Sequence, residues 1–110
     1  MARRLDDEEI TRQLGDLPDW TRDGDTIRAS FTASDFPTGI RLVDEVAADA
    51  EAMQHHPDID IRWTTLSFAL STHSEGGLTQ LDVELAHQIS QAAARLGASG
   101  DATTRPSDAP

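Results

Sequence analysis

Three of the four histidines, His55, His56 and His73, occur in one short stretch of the sequence. Imidazole exchanges a proton near neutral pH more readily than other side chains, so a histidine cluster is typical of acid/base catalysis. Glu51 lies four residues before His55 on an expected helix, which predicts that the two side chains pair on one helix face. This carboxylate and the negative end of the helix would favour the charged imidazolium of His55. The alternative is an exposed Glu–His pair with no catalytic role.

Two further candidates also have simple structural interpretations. His73 is expected in a loop before the turn Glu75-Gly76-Gly77, where a histidine often has no function. Asp82 follows Thr79 by three residues, which is the spacing of a helix N-cap and the acid that completes its capping box. Neither residue alone therefore indicates a site.

A metal site is another interpretation of the same residues. Glu51, His55, His56 and His73 could supply one carboxylate and several imidazoles to a metal ion. Adjacent residues in regular structure do not point the same way, however, and the sequence contains no His-Glu-x-x-His motif. We therefore expect metal-free acid/base chemistry.

The elements that would position these residues follow from hydrophobic periodicity, capping residues and turns. We predict helices over 6–14, 36–54 and 81–96 and strands over 20–22, 26–32, 59–63 and 66–71. Pro37 is tolerated in the first turn of the second helix, which Ser34 or Asp35 can cap. The order α-β-β-α-β-β-α indicates an α+β fold with helices packed on one face of an antiparallel sheet.

Two apolar patterns predict which faces of these elements are buried. The second helix repeats apolar residues at spacings of four and three, which predicts a core-facing stripe of Phe36, Ile40, Val43, Ala47 and Ala50. The first strand after this helix alternates apolar with charged residues from 58 to 63, which predicts one buried and one solvated face.

The length and composition indicate one small domain. The chain has 110 residues, and we expect a single domain over 1–97 followed by a disordered tail over 98–110, where the residues are small, polar and proline-bearing. There is no cysteine, which excludes disulfides, thiolate nucleophiles and cysteine-based metal sites.

The charge and hydropathy argue against several partners. Nine basic residues, all arginine, against 20 acidic residues give a net charge of -11, which disfavours nucleic acids and anionic membranes. Charged or polar residues interrupt every apolar run well before the roughly 18 residues of a membrane span. The N-terminal arginines lack the apolar segment of a secretory signal, so we expect a cytoplasmic location.

The spacing of the candidate residues resembles the pterin-4a-carbinolamine dehydratases. The pattern Glu51-x3-His55-His56-Pro57 is followed at that family's spacing by Trp63, His73 and Asp82. The resemblance extends to Trp20, Phe31, Phe36 and the segment from Thr72 to Thr79, so that it covers roughly residues 17–96. Seven typed positions at fixed spacing are far more specific than a short glycine motif.

The resemblance implies a four-stranded antiparallel sheet with three helices on one face, assembled as a homodimer or homotetramer. It implies loss of water from 4a-hydroxytetrahydropterin to give quinonoid dihydropterin, in tetrahydrobiopterin recycling after aromatic amino-acid hydroxylation, without a metal or organic cofactor. The implied residues are the catalytic His55, His56 and His73, the supporting carboxylates Glu51 and Asp82, and the substrate-binding His56, Pro57, Trp63 and Trp20.

Within this family, we hypothesise that His55, kept protonated by Glu51, and His73 act as the acid/base partners. Their order is not fixed by the sequence, and His56 would orient the pterin. Asp82 would order His73 or hydrogen-bond the second histidine. Replacing His55 by alanine is expected to lower kcat at least about tenfold without unfolding the protein.

The sequence departs from the family pattern at one position, and two alternatives to the dehydratase function remain open. Ile59 occupies a position where many members have tryptophan, which affects pocket shape rather than the acid/base set. A non-catalytic protein-binding or assembly module of the same fold is one alternative, because members of this family also act as partners of other proteins. The other is the metal-dependent enzyme described above.

Overall fold

The computed structural model describes residues 3–100. Its elements are α1 (Asp7–Leu14), β1 (Thr21–Asp23), β2 (Thr26–Thr32), α2 (Phe36–Met53), β3 (Asp58–Arg62), β4 (Thr65–Leu70), a single 3-10 turn (His73–Glu75), α3 (Gln80–Arg95) and β5 (Ser99–Gly100). The predicted α-β-β-α-β-β-α order is confirmed, and each predicted element begins and ends within one residue of the observed one. Within residues 3–100, no helix combines the length and hydropathy that crossing a bilayer requires.

The strands form one antiparallel sheet in the order β1-β2-β4-β3. The short β5 adds to the sheet by pairing Ser99 and Gly100 with the end of β2. Ala98 packs against the core just before this strand. The first residues of the expected tail, 98–110, therefore belong to the folded structure, whereas 101–110 lie outside the described residues.

The core lies between one face of the central strands and the helices. Alternate residues of β2 and β4 are buried, as the period of two predicts: Ile27, Ala29, Phe31, Leu66, Phe68 and Leu70. The α3 stripe of Leu85, Ile89 and Ala92 is fully buried against them. Burying each large apolar side chain contributes about 1.5–3 kcal/mol, so this layer fixes the position of β4 and α3, which flank the histidines.

The predicted core-facing stripe of α2 is largely wrong. Of the predicted residues, Ala50 is buried, but Phe36 is 53% exposed and Ala47 is also exposed, and the other buried apolar residues of the helix are Leu42 and Val46. The helix carries two neighbouring apolar stripes, and spacing alone does not say which one faces the sheet. The choice follows from packing, because Gly39 has no side chain and allows α2 to approach Leu66 on β4.

The prediction of a half-buried β3 is also wrong. All five of its residues are exposed, including Ile59 and Ile61 at 37% and 41%. Among the described strands, β3 pairs with β4 alone, so it is an edge strand of the sheet. Two exposed isoleucines therefore lie between charged residues on a strand with an unpaired side.

Candidate active site

His55 is buried at the turn that follows α2. The helix ends at Met53, and Gln54 adopts a left-handed conformation with φ of 52°, which turns the chain sharply. The backbone N–H of His55 still donates to the carbonyl of Ala50 at 3.0 Å. The turn directs the ring to the start of α3, where His55 Nε2 lies 2.5 Å from Asp82 Oδ1.

The carboxylate of Asp82 is fully buried and fully hydrogen-bonded. Its Oδ1 contacts His55, and its Oδ2 accepts from the Thr72 hydroxyl at 2.7 Å and from the Thr79 backbone N–H at 2.9 Å. The predicted capping box of Thr79 and Asp82 is confirmed. Burial without such partners would be costly, so the three donors keep this acid in the protein interior.

The hydrogen bond to Asp82 selects one tautomer of the His55 ring. A carboxylate accepts only, so His55 Nε2 carries the proton and Nδ1 carries the lone pair in the neutral ring. In the described part of the chain, no buried side-chain nitrogen or oxygen lacks a partner, and the only hydrogen bond of this ring uses Nε2. Nδ1 therefore remains in contact with solvent, where it can accept a proton.

Glu51 pairs with His56, and the predicted pairing with His55 is wrong. The Glu51 Oε1 atom lies 2.9 Å from His56 Nε2, and both side chains are largely exposed. Helical spacing of four residues no longer applies beyond Met53, because the left-handed turn at Gln54 rotates the following residue inward. Likewise, the prediction that Asp82 orders His73 or the second histidine is wrong, since it contacts His55.

His56 and His73 line the same small cavity of about 50 Å³. His73 begins the 3-10 turn after β4, and His56 precedes β3, so neighbouring strands bring them together. The cavity is also lined by Thr26, Arg28, Asp58, Ala69, Leu70 and Ser71. Three of its residues also line a groove of about 330 Å³ on the helix-free face of the sheet, which is space for a bicyclic ligand beside the two histidines.

The register of the sheet explains why Arg28 and Asp58 join this cavity. Arg28 on β2 is opposite Ala69 on β4, and Ala69 is opposite Asp58 on β3, so the three form one row across the sheet. Strand alternation predicts that such residues face away from the core, but it does not say that they lie beside His56. Sequence reasoning missed both for that reason.

The three other predicted substrate-binding residues are placed differently. Trp20 lies in the core, where it packs against Phe31 and its Nε1 donates to the Ser90 hydroxyl at 2.9 Å, and it does not line the cavity of His56 and His73. Trp63 is 87% exposed at the β3–β4 turn and does not line the cavity of His56. Pro57 is half-buried directly after that histidine.

The described residues do not form the set of side chains that the alternative metal site would need. Across residues 3–100, no group of three or more His, Cys, Asp or Glu side chains is arranged to hold a metal ion. The candidate donors instead form two separate pairs, His55 with Asp82 and His56 with Glu51.

Comparison with known proteins identifies relatives over most of the chain. The family profile of pterin 4 alpha carbinolamine dehydratase matches residues 3–92. A relative from Nocardia farcinica, named as a pterin-4-alpha-carbinolamine dehydratase, is 58% identical over 89 residues, which cover 81% of this chain and 94% of the relative. One from Roseiflexus sp. with the same name is 54% identical over 91 residues, 83% of this chain and 98% of the relative.

Solved structures with this fold show the same architecture. A protein described as a transcriptional coactivator/pterin dehydratase from Brucella melitensis is 31% identical, with a TM-score of 0.80 over 83% of this chain and 99% of that one. A pterin dehydratase-like protein identified as a RuBisCO assembly factor shares the fold at 17% identity and a TM-score of 0.56, over 67% of this chain and 86% of that one. With the family profile and relatives above 50% identity spanning nearly their whole length, the chain belongs to the pterin-4-alpha-carbinolamine dehydratase family.

Proposed function

We propose that this protein is a hydro-lyase that dehydrates 4a-hydroxytetrahydropterin to quinonoid dihydropterin in tetrahydrobiopterin recycling, by metal-free histidine acid/base catalysis in the cytoplasm. The observation that carries the proposal is the buried pair of His55 and Asp82. His55 directly precedes His56 in the chain, and His56 and His73 line one cavity. Family membership supplies the substrate class.

The reaction requires one acid and one base. The 4a-hydroxyl group takes up a proton and leaves as water when the C4a–O bond breaks. N5 gives up its proton, and its electron pair forms the C4a=N5 bond of the quinonoid product. One proton is delivered and one is removed, so the reaction is redox-neutral and suits two imidazoles, each contributing about 10²–10⁴-fold.

His55 suits the role of the base. Asp82 holds the proton on Nε2, which leaves the lone pair of Nδ1 to accept the N5 proton of the substrate. The resulting imidazolium would be stabilised by the adjacent buried carboxylate, as in other Asp–His pairs that perform base catalysis.

His73 and His56 complete the proposed site. His73 is exposed on its 3-10 turn and would deliver the proton to the leaving hydroxyl group. His56, whose Nε2 is paired with Glu51, would orient the pterin in the shared cavity. Both Pro57 and Asp58 lie at the same junction, where they would shape the substrate pocket.

Stopped-flow absorbance tests the activity. The 4a-hydroxytetrahydrobiopterin is generated in situ by an aromatic amino-acid hydroxylase, and its dehydration is followed with and without this protein. We expect the protein to accelerate dehydration at least about 10²-fold over the spontaneous rate. The same acceleration in a His87→Ala variant is the control, because that half-buried histidine lies on α3 and does not line the cavity.

The non-catalytic alternative makes the opposite prediction. The fold also occurs in a protein identified as an assembly factor, and this chain exposes apolar side chains on β3 and at Trp63. A folded protein that leaves the spontaneous dehydration rate unchanged would contradict the dehydratase proposal and favour a protein-binding module.

We also propose that the chain forms a homodimer through β3. Antiparallel pairing of two β3 strands about Asp60 would place Asp58 opposite Arg62 of the second copy and Ile59 opposite Ile61. Opposite charges and apolar pairs across strands stabilise a sheet, and pairing would remove the exposed apolar edge. Each Asp60 would then approach the other, and Arg62, which already contacts Asp60 at 3.4 Å, would offset that repulsion.

Sedimentation analysis checks the dimer. The wild-type chain should sediment as a dimer or larger assembly, and Ile61→Arg should sediment as a monomer because it places a charge in the apolar contact. Thr21→Arg is the matched control, since it adds the same side chain to the exposed β1 at the other side of the sheet. A monomeric wild type, or an Ile61→Arg variant that remains dimeric, would contradict an interface at β3.

A further inference from the structure

Thr72 lies between the two histidines to which the proposed mechanism assigns proton transfer. It directly precedes His73 in the chain, and its hydroxyl donates to Asp82 Oδ2 at 2.7 Å. The other oxygen of that carboxylate contacts His55. Thr72 is itself buried, so one residue links the backbone of His73 to the ring of His55 through the interior.

The direction of each hydrogen bond in this cluster follows from counting protons. The single hydroxyl proton of Thr72 goes to Asp82, because a carboxylate accepts only. The 2.8 Å contact between the hydroxyls of Thr72 and Thr79 must then use the Thr79 proton. The Thr79 oxygen in turn accepts from the backbone N–H of Leu81 at 3.2 Å. The chain of donors therefore runs from Thr79 through Thr72 to Asp82.

The backbone of Thr72 also closes the loop that carries His73. Its N–H donates to the Gly77 carbonyl at 3.0 Å, and its carbonyl accepts from the N–H of Gly77 at 3.4 Å and of Glu75 at 3.0 Å. These bonds fix where the 3-10 turn begins. The same residue thus anchors both the turn of His73 and the carboxylate that orients His55.

We propose that Thr72 is a positioning residue, whose hydroxyl holds Asp82 so that the His55 ring keeps its Nε2–H tautomer and stays aligned with His73. The expected effect of Thr72 on kcat rests on the proposed function, whereas its expected effect on the tautomer of the His55 ring does not. Thr72 touches no reacting atom, and it acts through Asp82.

Matched variants separate the hydroxyl from the shape of the side chain. Thr72→Val keeps the volume and removes the donor, and we expect kcat to fall about 10–100-fold while KM changes less than about threefold. Thr72→Ser keeps the donor and should restore kcat to within about threefold of wild type. Thr65→Val makes the same substitution on β4, outside the Asp82 cluster, and should leave kcat unchanged.

The ¹⁵N NMR spectrum of the His55 ring provides a readout without substrate. Wild type and Thr72→Ser should show a protonated Nε2 in the neutral ring. Thr72→Val should show a mixture of the two tautomers, because a carboxylate no longer held at Oδ2 by the hydroxyl turns away from Nε2 part of the time and leaves the ring free to take either form. Circular dichroism would verify that each variant is folded. If Thr72→Val does not fold, Thr72→Ala takes its place in both assays.

The two readouts distinguish failure of this proposal from failure of the proposed function. A lowered kcat with an unchanged His55 spectrum would overturn the positioning role, and so would a Thr72→Val variant that matches Thr65→Val. Loss of kcat that serine does not restore would also overturn it. If the wild type has no dehydratase activity, the proposed function fails, and the His55 spectrum alone decides whether Thr72 controls the ring.

Discussion

Asp82→Asn is expected to lower kcat at least about a hundredfold with little change in KM. The amide must place its oxygen towards the two donors that Oδ2 now serves, Thr72 and the Thr79 N–H. Its NH₂ group then faces His55 Nε2 and donates to it, so the ring must carry its proton on Nδ1. That nitrogen is the proposed acceptor of the substrate proton, and the wrong tautomer of a base costs about 10⁴ in a comparable Asp–His pair.

The same substitution has a limited effect on folding. The shape of the side chain is nearly unchanged, but a neutral amide forms weaker hydrogen bonds than the carboxylate, which we expect to cost about 1–3 kcal/mol, less than the usual stability of a domain. Chemical denaturation would measure the loss of stability, and single-turnover kinetics would measure the loss of rate. Asp44→Asn, on the exposed side of α2, is the matched control and should behave as wild type.

A kcat within about threefold of wild type in folded Asp82→Asn would contradict the role of Asp82 in setting the tautomer. Protein that is unfolded would not decide the matter, so the comparison is made at a temperature where both the variant and the control show native circular dichroism. The His55 ¹⁵N spectrum of Asp82→Asn should then show the proton on Nδ1.

The order and bounds of the helices and strands were predictable because they depend on local signals. Capping at Asp35 and Thr79 and the alternation along β2 and β4 are properties of short segments. The buried face of α2 was not predictable in the same way, since it depends on the approach of Gly39 to Leu66 on a strand that is distant in the sequence.

The candidate histidines could be identified from their spacing in the sequence, whereas their hydrogen-bond partners could not. Glu51 and His55 have helical spacing, and only the left-handed conformation of Gln54 shows that the helix has already ended and that His56 takes this partner. The sequence identified Asp82 as a capping residue. The contact of its other carboxylate oxygen with His55 forms only because the end of α2 meets the start of α3. Such contacts between distant segments are set by tertiary packing.

Burial also changes the expectation for His55→Ala. The sequence suggested a loss of activity without unfolding, but removing the ring takes away one of the three donors to a carboxylate that is 0% exposed. Losing a partner of a buried charge is destabilising. His55→Ala would therefore lose stability and activity together, which makes it a poor test of catalysis.

His73→Ala is the cleaner test of proton delivery, and we expect it to lower kcat about 10²-fold or more at nearly unchanged stability. His73 is exposed, and no hydrogen bond of its side chain holds the described structure together. Its loop is fixed by the backbone bonds of Thr72 and Gly77, which alanine leaves in place. The loss of rate would therefore report the missing acid rather than a changed fold.

Added imidazole provides the decisive comparison for His73→Ala. The substitution enlarges a cavity that opens to the surface beside His56, so free imidazole can occupy it and supply the missing proton. We expect millimolar imidazole to restore part of the lost kcat, with greater recovery where more of the imidazole is protonated, as delivery of a proton to the leaving hydroxyl requires. Imidazole should not stimulate wild type or His87→Ala. If the His73→Ala rate stays within about threefold of wild type, His73 is neither the acid nor the base. If only neutral imidazole restores a lowered rate, His73 is the base and the assignment of the two histidines must be reversed.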